Sequence, residues 1–276
     1  MANPKKGTSQ ARNEFIWGWA FILPTMLGLI ILNIYPIFKT IYESFFKTGD
    51  FGKGNIFIGF DNYVKLFTQD KLFIKSLKVT FKFAFISVPL RLIFALLVAM
   101  ILNRKSRAVP VYRVVYYLPS IIGGSVAVSV MWRNLFTKAG VINSLLQAVG
   151  IDCRLNWLSN TKTALFTLIL LYVWQFGSSM LIFLSGLKQI PVSYYEAAEV
   201  DGAGKVRQFF SITLPLLSPI ILFNVVMQII NGFMVFTQAQ IITDGGPVNE
   251  TLVYILYLYQ NSFKYYEMGY GSAMAW

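Results

Sequence analysis

Long apolar runs alternate with short polar segments along most of this chain. Five runs approach or exceed the ~20 residues that a helix needs to cross a bilayer. They cover residues 15–38, 83–103, 113–133, 163–187 and 211–240. A soluble core could account for one such run but not for five. The pattern therefore predicts an all-α membrane protein, a polytopic helical bundle with five visible spans.

Both ends of the chain need an interpretation. The first run resembles the apolar part of a signal peptide, but that part is typically only ~7–15 residues long. Here the run reaches Phe38, which favours a span that is retained in the mature protein. We therefore expect an N-terminal tail of residues 1–14, followed by a transmembrane domain of residues 15–276. The small residues 269–275 resemble the first turn of a further apolar helix. We therefore expect a sixth span to be missing at the C-terminus.

Composition supports lipid as the solvent of this chain. Hydrophobic residues make up 56% of it and charged residues 13%, whereas a soluble domain is about one quarter charged. The net charge of +12 would suggest nucleic acid in a soluble protein, but here the cations flank apolar runs and favour anionic membrane lipid. There is no histidine and one cysteine, Cys153, which excludes an internal disulfide and a multi-cysteine metal site. We predict membrane lipid as a partner, no nucleic acid and no metal.

Positive charge predicts the orientation, because short basic connections stay in the cytoplasm. Basic residues occur in the N-terminal tail, in the connection after the second run and in residues 188–210, which predicts a cytoplasmic N-terminus. The lysine-rich connection 39–82 would then lie outside, although a long connection has little influence. Its last lysines recur at helical spacing and predict an amphipathic interfacial helix; they are Lys71, Lys75, Lys78 and Lys82. Residues 241–268 are predicted to form an external segment, with a short, partly inserted helix at 251–263.

The polar connection 188–210 has a helix–glycine–helix pattern. Ser193 and Glu196 have the spacing of a capping box at a helix start. Gly202 is expected to end that helix in a left-handed conformation. A second helix would begin near Ala203 and enter the membrane at Pro215, where the proline ring can kink it. Taken alone, this is the pattern of an ordinary cytoplasmic turn with solvated charges.

The complete spacing is more specific than that. Glu196-Ala197-Ala198, then Gly202, then Ile212-x-Leu214-Pro215 resembles the cytoplasmic EAA loop of ABC-importer permeases at every signature position. In that family the loop docks onto a separate ATPase subunit and transmits its motion. The resemblance implies six ATPase-docking residues: Glu196, Ala197, Ala198, Asp201, Gly202 and Gly204.

Two further segments narrow the resemblance to the carbohydrate-type (maltose and multiple-sugar) permeases. They are the run from Thr243 to Pro247 and the stretch from Tyr112 through Asn143. The resemblance implies a bacterial inner-membrane location, a second permease subunit forming a heterodimer, two ATPase subunits and an external substrate-binding protein. ATP and Mg would be bound by the ATPase subunits. This chain lacks a phosphate-loop motif, because Val206 follows Lys205 where a hydroxyl is required.

Polar residues within the spans are candidates for a substrate path. Asn224, Gln228 and Asn231 form one stripe on a helix. The fourth span carries Tyr172, Trp174, Gln175 and Ser179. Amides and aromatic faces suit a sugar, but the same amides could equally join neighbouring helices. Arg91, inside the second span, must snorkel, pair or face the protein interior.

The chain is expected to be a transport subunit and not an enzyme. A secondary transporter would couple ions through intramembrane carboxylates, and none occurs in the five runs. A membrane-embedded glycosyltransferase-like enzyme would need acids at the membrane face, where only the EAA-loop acids qualify. Import of a polar solute other than a sugar remains an alternative.

Overall fold

The computed structural model describes residues 5–48, 54–104, 107–152 and 155–276, with side chains from residue 11 onward. Cys153 lies outside the described residues. Two compact units are present, Met1–Asp70 with Leu258–Trp276, and Lys71–Tyr257. The described residues are predominantly helical, as the apolar pattern predicts.

The helices follow one another in this chain order: α1 (Lys5–Leu29), α2 (Tyr35–Ser44), α3 (Asp61–Thr68), α4 (Lys71–Leu102), α5 (Val109–Ile122), α6 (Val126–Leu135), α7 (Val141–Ala148), α8 (Ala164–Trp174), α9 (Gly177–Gln189), α10 (Val192–Val200), α11 (Lys205–Gln208), α12 (Leu214–Phe233), α13 (Thr237–Ile242), α14 (Tyr254–Tyr259) and α15 (Met268–Ala275). π-Helical turns occupy Ile30–Ile34, Phe209–Thr213 and Gln260–Lys264. A two-stranded antiparallel sheet pairs β1 (Phe46–Lys47) with β2 (Ile56–Phe57).

In the first unit, α1, the π-turn and α2 form one continuous helix, of which Ala11–Ser44 is apolar enough to cross a membrane. None of its most apolar window is buried by the residues that the structure describes. Its end packs against α15, where Trp276 Nε1 donates to Thr40 Oγ1 at 3.1 Å. Asn62, on α3, donates to the carbonyl of Ser44 at 2.8 Å and so joins α3 to the end of α2.

In the second unit, α4 is the central helix and packs against α8, α9 and α12. Its core contacts come from Phe83 and Ala95, together with Leu171 and Met180 from the fourth apolar run, all of them fully buried. The lysine-bearing segment from Lys71 is the first part of α4 rather than a separate interfacial helix. No glycine or proline interrupts the chain between that segment and the apolar run, so the helix continues.

Two of the predicted spans are bent pairs of helices. In place of a single helix over 113–133, α5 and α6 meet at 98°. Gly123 and Gly124 interrupt the helix, and Ser125 Oγ accepts a hydrogen bond from Val128 N at 3.3 Å to start α6. The fourth run contains α8 and α9, which meet at 41°. Among the described residues, three helices are long and apolar enough to cross a membrane singly, or up to five if each bent pair counts as one span.

The fifth run begins and ends earlier than the predicted 211–240. One helical segment covers Lys205–Phe233, and α13 follows as a separate short helix. A π-turn, Phe209–Thr213, lies just before Pro215. A proline ring would clash with the carbonyl four residues earlier in a regular α-helix, and a widened turn relieves that crowding. The same arrangement precedes Pro36, which follows the π-turn Ile30–Ile34.

Candidate functional site

The polar loop presents an exposed helix between two apolar helical segments. α10 contains no buried residue. Glu196 and Ala197 are exposed and Ala198 is half-buried. Val200 is 88% exposed, so the end of α10 offers apolar as well as acidic surface. Such a helix is suited to contact another protein.

The predicted capping box is wrong. α10 begins at Val192 with Pro191 as its N-cap, and no side chain caps it. Ser193 is therefore already inside the helix, where its hydroxyl cannot cap the first turn. The proline fixes the entry of the chain instead, because its backbone dihedral is set by the ring.

Gly202 ends α10 as predicted. Its φ is +75°, the left-handed conformation that glycine adopts without a Cβ penalty. The amides of Gly202 and Ala203 donate to the carbonyls of Glu199 (3.0 Å) and Ala198 (2.8 Å). This pair of hydrogen bonds is a Schellman motif. It turns the chain sharply, and Asp201 and Gly204 lie exposed on either side of the turn.

Three side-chain contacts tie α10 and the Gly202 turn to the helix that follows. Tyr195 Oη and Thr213 Oγ1 are hydrogen-bonded at 2.9 Å. Gln208 Nε2 donates to the carbonyl of Ala203 at 3.1 Å. Lys205 pairs with Glu199 across the turn and holds the pKa of that carboxyl below its usual value. The EAA motif does not predict the contacts of Tyr195 and Gln208. Their only signal in the sequence is a polar side chain near the point where the chain enters the membrane.

The structure brings some of the predicted path residues together. Tyr172 Oη donates to the carbonyl of Gln228 at 2.9 Å and lies 3.2 Å from its Oε1. Asn224, fully buried, donates to the carbonyl of Ile220 at 3.2 Å. Asn231 is exposed. The Trp174 ring lies 5.8 Å from the Trp132 ring, centre to centre, at a tilt of 36°. Ser179 is buried and its Oγ has no hydrogen-bond partner in the described protein.

The bends of the two helix pairs meet at a polar junction in the second unit. Ser120 Oγ, on α5, donates to the carbonyl of Gln175 at 2.8 Å and accepts from the amide of Ser178 at 2.9 Å. Gly177 allows this approach, because a Cβ there would strike the carbonyl of Tyr116. Gln238 Nε2 donates to the carbonyl of Gly123 at 3.3 Å.

Arg91 lies beside this junction. It is 7% exposed, so it faces the protein interior rather than snorkelling to a membrane surface. Its guanidinium carbon lies 4.5 Å from the centre of the Tyr172 ring. Of the predicted path residues, Tyr172, Gln175 and Gln228 therefore take part in one network with Arg91, Ser120 and Gln238. Sequence reasoning placed neither Ser120 nor Gln238 in it.

A bundle of apolar helices with an exposed helix–glycine–helix loop and a buried polar network has the architecture of a membrane transport subunit. Residues 76–275 match the family described as "Binding-protein-dependent transport system inner membrane component". The chain belongs to this family of transport permeases.

Relatives and solved structures agree with this assignment. The chain is 53% identical to "Probable ABC transporter permease protein YesP" of Bacillus subtilis, covering 100% of this chain and 89% of that protein. It is 33% identical to AmyD of Thermoanaerobacterium thermosulfurigenes, a permease named for starch degradation products (94% and 88% covered). It is 32% identical to the lactose permease LacF of Rhizobium radiobacter (90% and 84% covered). A chain of a bacterial alginate ABC transporter, solved with an alginate-bound periplasmic protein, has the same fold at a TM-score of 0.81, 22% identity, and 97% and 90% coverage.

Proposed function

We propose that this chain is the permease subunit of an importer for a sugar or oligosaccharide, driven by ATPase subunits that are separate proteins. The observation that carries the proposal is α10, an exposed acidic helix closed by the Gly202 turn and tied to the next helix. The names of AmyD and LacF support a saccharide as the substrate.

The contacts of α10 suggest how force reaches the membrane. Closure of an ATPase dimer on ATP and Mg would displace α10, which touches the ATPase through Glu196, Ala198 and the Gly202 turn. The Tyr195–Thr213 hydrogen bond lies at the start of α12, so it would carry the displacement into that helix. α12 in turn packs against α4 and α9. Access to the path would then alternate between the two membrane faces.

The path in this proposal runs past the buried network of Tyr172, Gln175 and Gln228, with Asn224, Trp174, Ser179 and Asn231 as further lining residues. Amide hydrogen bonds and aromatic faces are the chemistry that a sugar requires. A loaded external binding protein would bias the switch only through a difference in affinity for the two states. A second permease subunit would supply the opposite wall.

The proposal places residues 188–210 and the N-terminus in the cytoplasm of a bacterial inner membrane. The described helices then cross near the predicted spans, and residues 241–268 lie outside. Basic connections on the inner side support this orientation.

Gly202→Asp tests the coupling role of the loop. A side chain at φ +75° is strained, and nothing lies within 4 Å to obstruct it, so only the turn and its docking surface should change. Gly150→Asp is a matched control, because Gly150 (φ +89°) also ends a helix, α7, with hydrogen bonds from Gly150 to Gln147 and from Ile151 to Leu146. In the proposed orientation Gly150 lies outside the cell.

Uptake and ATPase co-purification are measured for both variants. We expect Gly202→Asp to abolish transport and weaken ATPase association, with normal membrane insertion. Gly150→Asp should retain both activities. Normal uptake by the Gly202→Asp protein, or equal loss of ATPase binding by the two variants, would remove the coupling role. Glu196→Lys, which reverses the charge at the start of the EAA motif, should reproduce the Gly202→Asp effect.

A further inference from the structure

Arg91 is a buried cation without an acidic partner. It lies well inside α4 and is 7% exposed. No Asp or Glu occurs in α4, α5, α6, α8 or α9, or in Lys205–Phe233, and none of the ion pairs among the described residues includes Arg91. A buried charge is strongly unfavourable unless it is compensated. The fold therefore retains an unpaired guanidinium where an apolar residue would be more stable.

The protein compensates this charge only in part. The guanidinium carbon lies over the Tyr172 ring, and one terminal nitrogen donates to Ser178 Oγ at 3.3 Å. Nε is buried and has no hydrogen-bond partner in the described protein. Arginine can present two parallel N–H groups to a carboxylate. The contacts with Tyr172 and Ser178 leave Nε–H available for such a ligand.

Other buried polar atoms in the same helix group also lack hydrogen-bond partners among the described residues. They are Ser87 Oγ, one turn before Arg91 on α4, Ser179 Oγ on α9, and Asn224 Oδ1 on α12. Orphaned polar atoms are rare in folded proteins, and each requires an explanation. The two hydroxyls and Arg91 Nε can all donate hydrogen bonds, so together they favour an anionic ligand. Asn224 Oδ1 can accept a hydrogen bond from a sugar hydroxyl.

The start of α9 adds to this preference. Ser178 and Ser179 lie in its first turn, and the N-terminal end of a helix favours negative charge. Ser178 is only partly buried, so the guanidinium end that it contacts is at the edge of the buried network. Discontinuous helices whose N-termini face the substrate are a recurrent way to bind anionic groups in transporters.

We propose that the transported saccharide carries a carboxylate and that Arg91, with the first turn of α9, binds it. This inference rests on the proposed function and specifies its substrate class as a uronic-acid-type saccharide. A neutral sugar would leave the guanidinium uncompensated when it displaced water from the network. Arg91 is then a specificity residue rather than part of the coupling machinery.

The test uses the assembled transporter in liposomes, with its binding protein added outside. The probes are an alginate trisaccharide and its methyl ester, which differ in charge but share ring and length, together with neutral malto-oligosaccharides. We expect uptake of the acid to exceed that of the ester by roughly tenfold, the effect of losing a hydrogen bond to a charged group. Arg91→Gln should bring that ratio close to one, and Arg91→Lys, which keeps the charge but not the paired N–H groups, should give an intermediate ratio.

A second variant guards against misfolding of Arg91→Gln. Ser178→Asp supplies a carboxylate next to the guanidinium, so it should lower uptake of the acid selectively while the complex assembles normally. Three outcomes would overturn the inference and leave the importer proposal intact. They are uptake of neutral sugars alone, equal uptake of acid and ester by the unmodified transporter, and an equal loss of acid and ester uptake in Arg91→Gln. Failure of any saccharide to enter, with no ATPase subunit bound, would instead overturn the importer proposal.

Discussion

At the residue scale, glycines mark the positions where two backbones or a sharp turn exclude a side chain. Gly202 and Gly150 have positive φ values and end helices. Gly177 has an ordinary helical backbone but lies against the α5 backbone, and its Cβ would contact Tyr117 Cα at 2.7 Å. The first two need glycine for conformation and the third needs it for space.

Gly177→Ala should destabilise the protein by about 1–3 kcal/mol, the usual penalty of overpacking. Alanine otherwise favours a helix, so a loss would arise from separation of α5 and α9. Gly124→Ala is the control, because nothing lies within 4 Å of a Cβ at Gly124. Thermal unfolding in detergent measures both variants, and an unchanged midpoint for Gly177→Ala would contradict the packing argument.

At the element scale, the helices of this chain are broken where polar side chains can replace lost backbone hydrogen bonds. Ser120 supports the α8–α9 break from α5, and Ser125 starts α6 after the α5–α6 break. The helix after α10 is different, because it changes to a π-turn without ending. Tyr195 holds α10 to that turn.

Tyr195→Phe removes one hydrogen bond and leaves the ring in place. If this bond transmits movement of α10, uptake should fall roughly three- to tenfold while the ATPase subunits remain bound, since one hydrogen bond is worth about 0.5–1.5 kcal/mol. Tyr194→Phe is the matched control, because Tyr194 is 51% exposed on the same helix. Uptake and co-purified ATPase are measured together, and equal uptake by the two variants would show that the bond is dispensable.

The helices and the Gly202 turn could be predicted because their signals are local. Twenty apolar residues, or a glycine after an alanine-rich turn, carry their meaning within a few positions. Gly123 and Gly124 mark a break between α5 and α6, but the 98° angle could not be predicted from them. That angle accompanies contacts among Ser120, Gln175 and Gln238, which are distant from one another in the sequence. The capping-box prediction failed because Pro191 is the N-cap of α10. The helix therefore begins at Val192, and Ser193 already lies inside it.

At the scale of the whole molecule, positive charge and the polar loop both favour the proposed orientation in the membrane. Basic residues occur in the N-terminal tail and in every second connection between the apolar runs. The orientation therefore decides whether α10 can meet a cytoplasmic ATPase. α7 and α10 are predicted to lie on opposite faces.

Cysteine labelling distinguishes the two faces. In a Cys153→Ser background, Val149→Cys and Val200→Cys place single thiols at positions that are 79% and 88% exposed. A membrane-impermeant maleimide should label the first in intact cells and the second only after permeabilisation. Labelling of Val200→Cys in intact cells would place the loop outside and end the coupling proposal.

The helix at the start of the chain has a consequence for the lipid around it. Its apolar run over residues 15–38 is about 36 Å long at 1.5 Å per residue, whereas the hydrocarbon layer is about 30 Å thick. The described part of the chain buries none of this helix along its apolar window. Its inclination should then follow acyl-chain length, lying flatter in thin bilayers and standing more upright in thick ones.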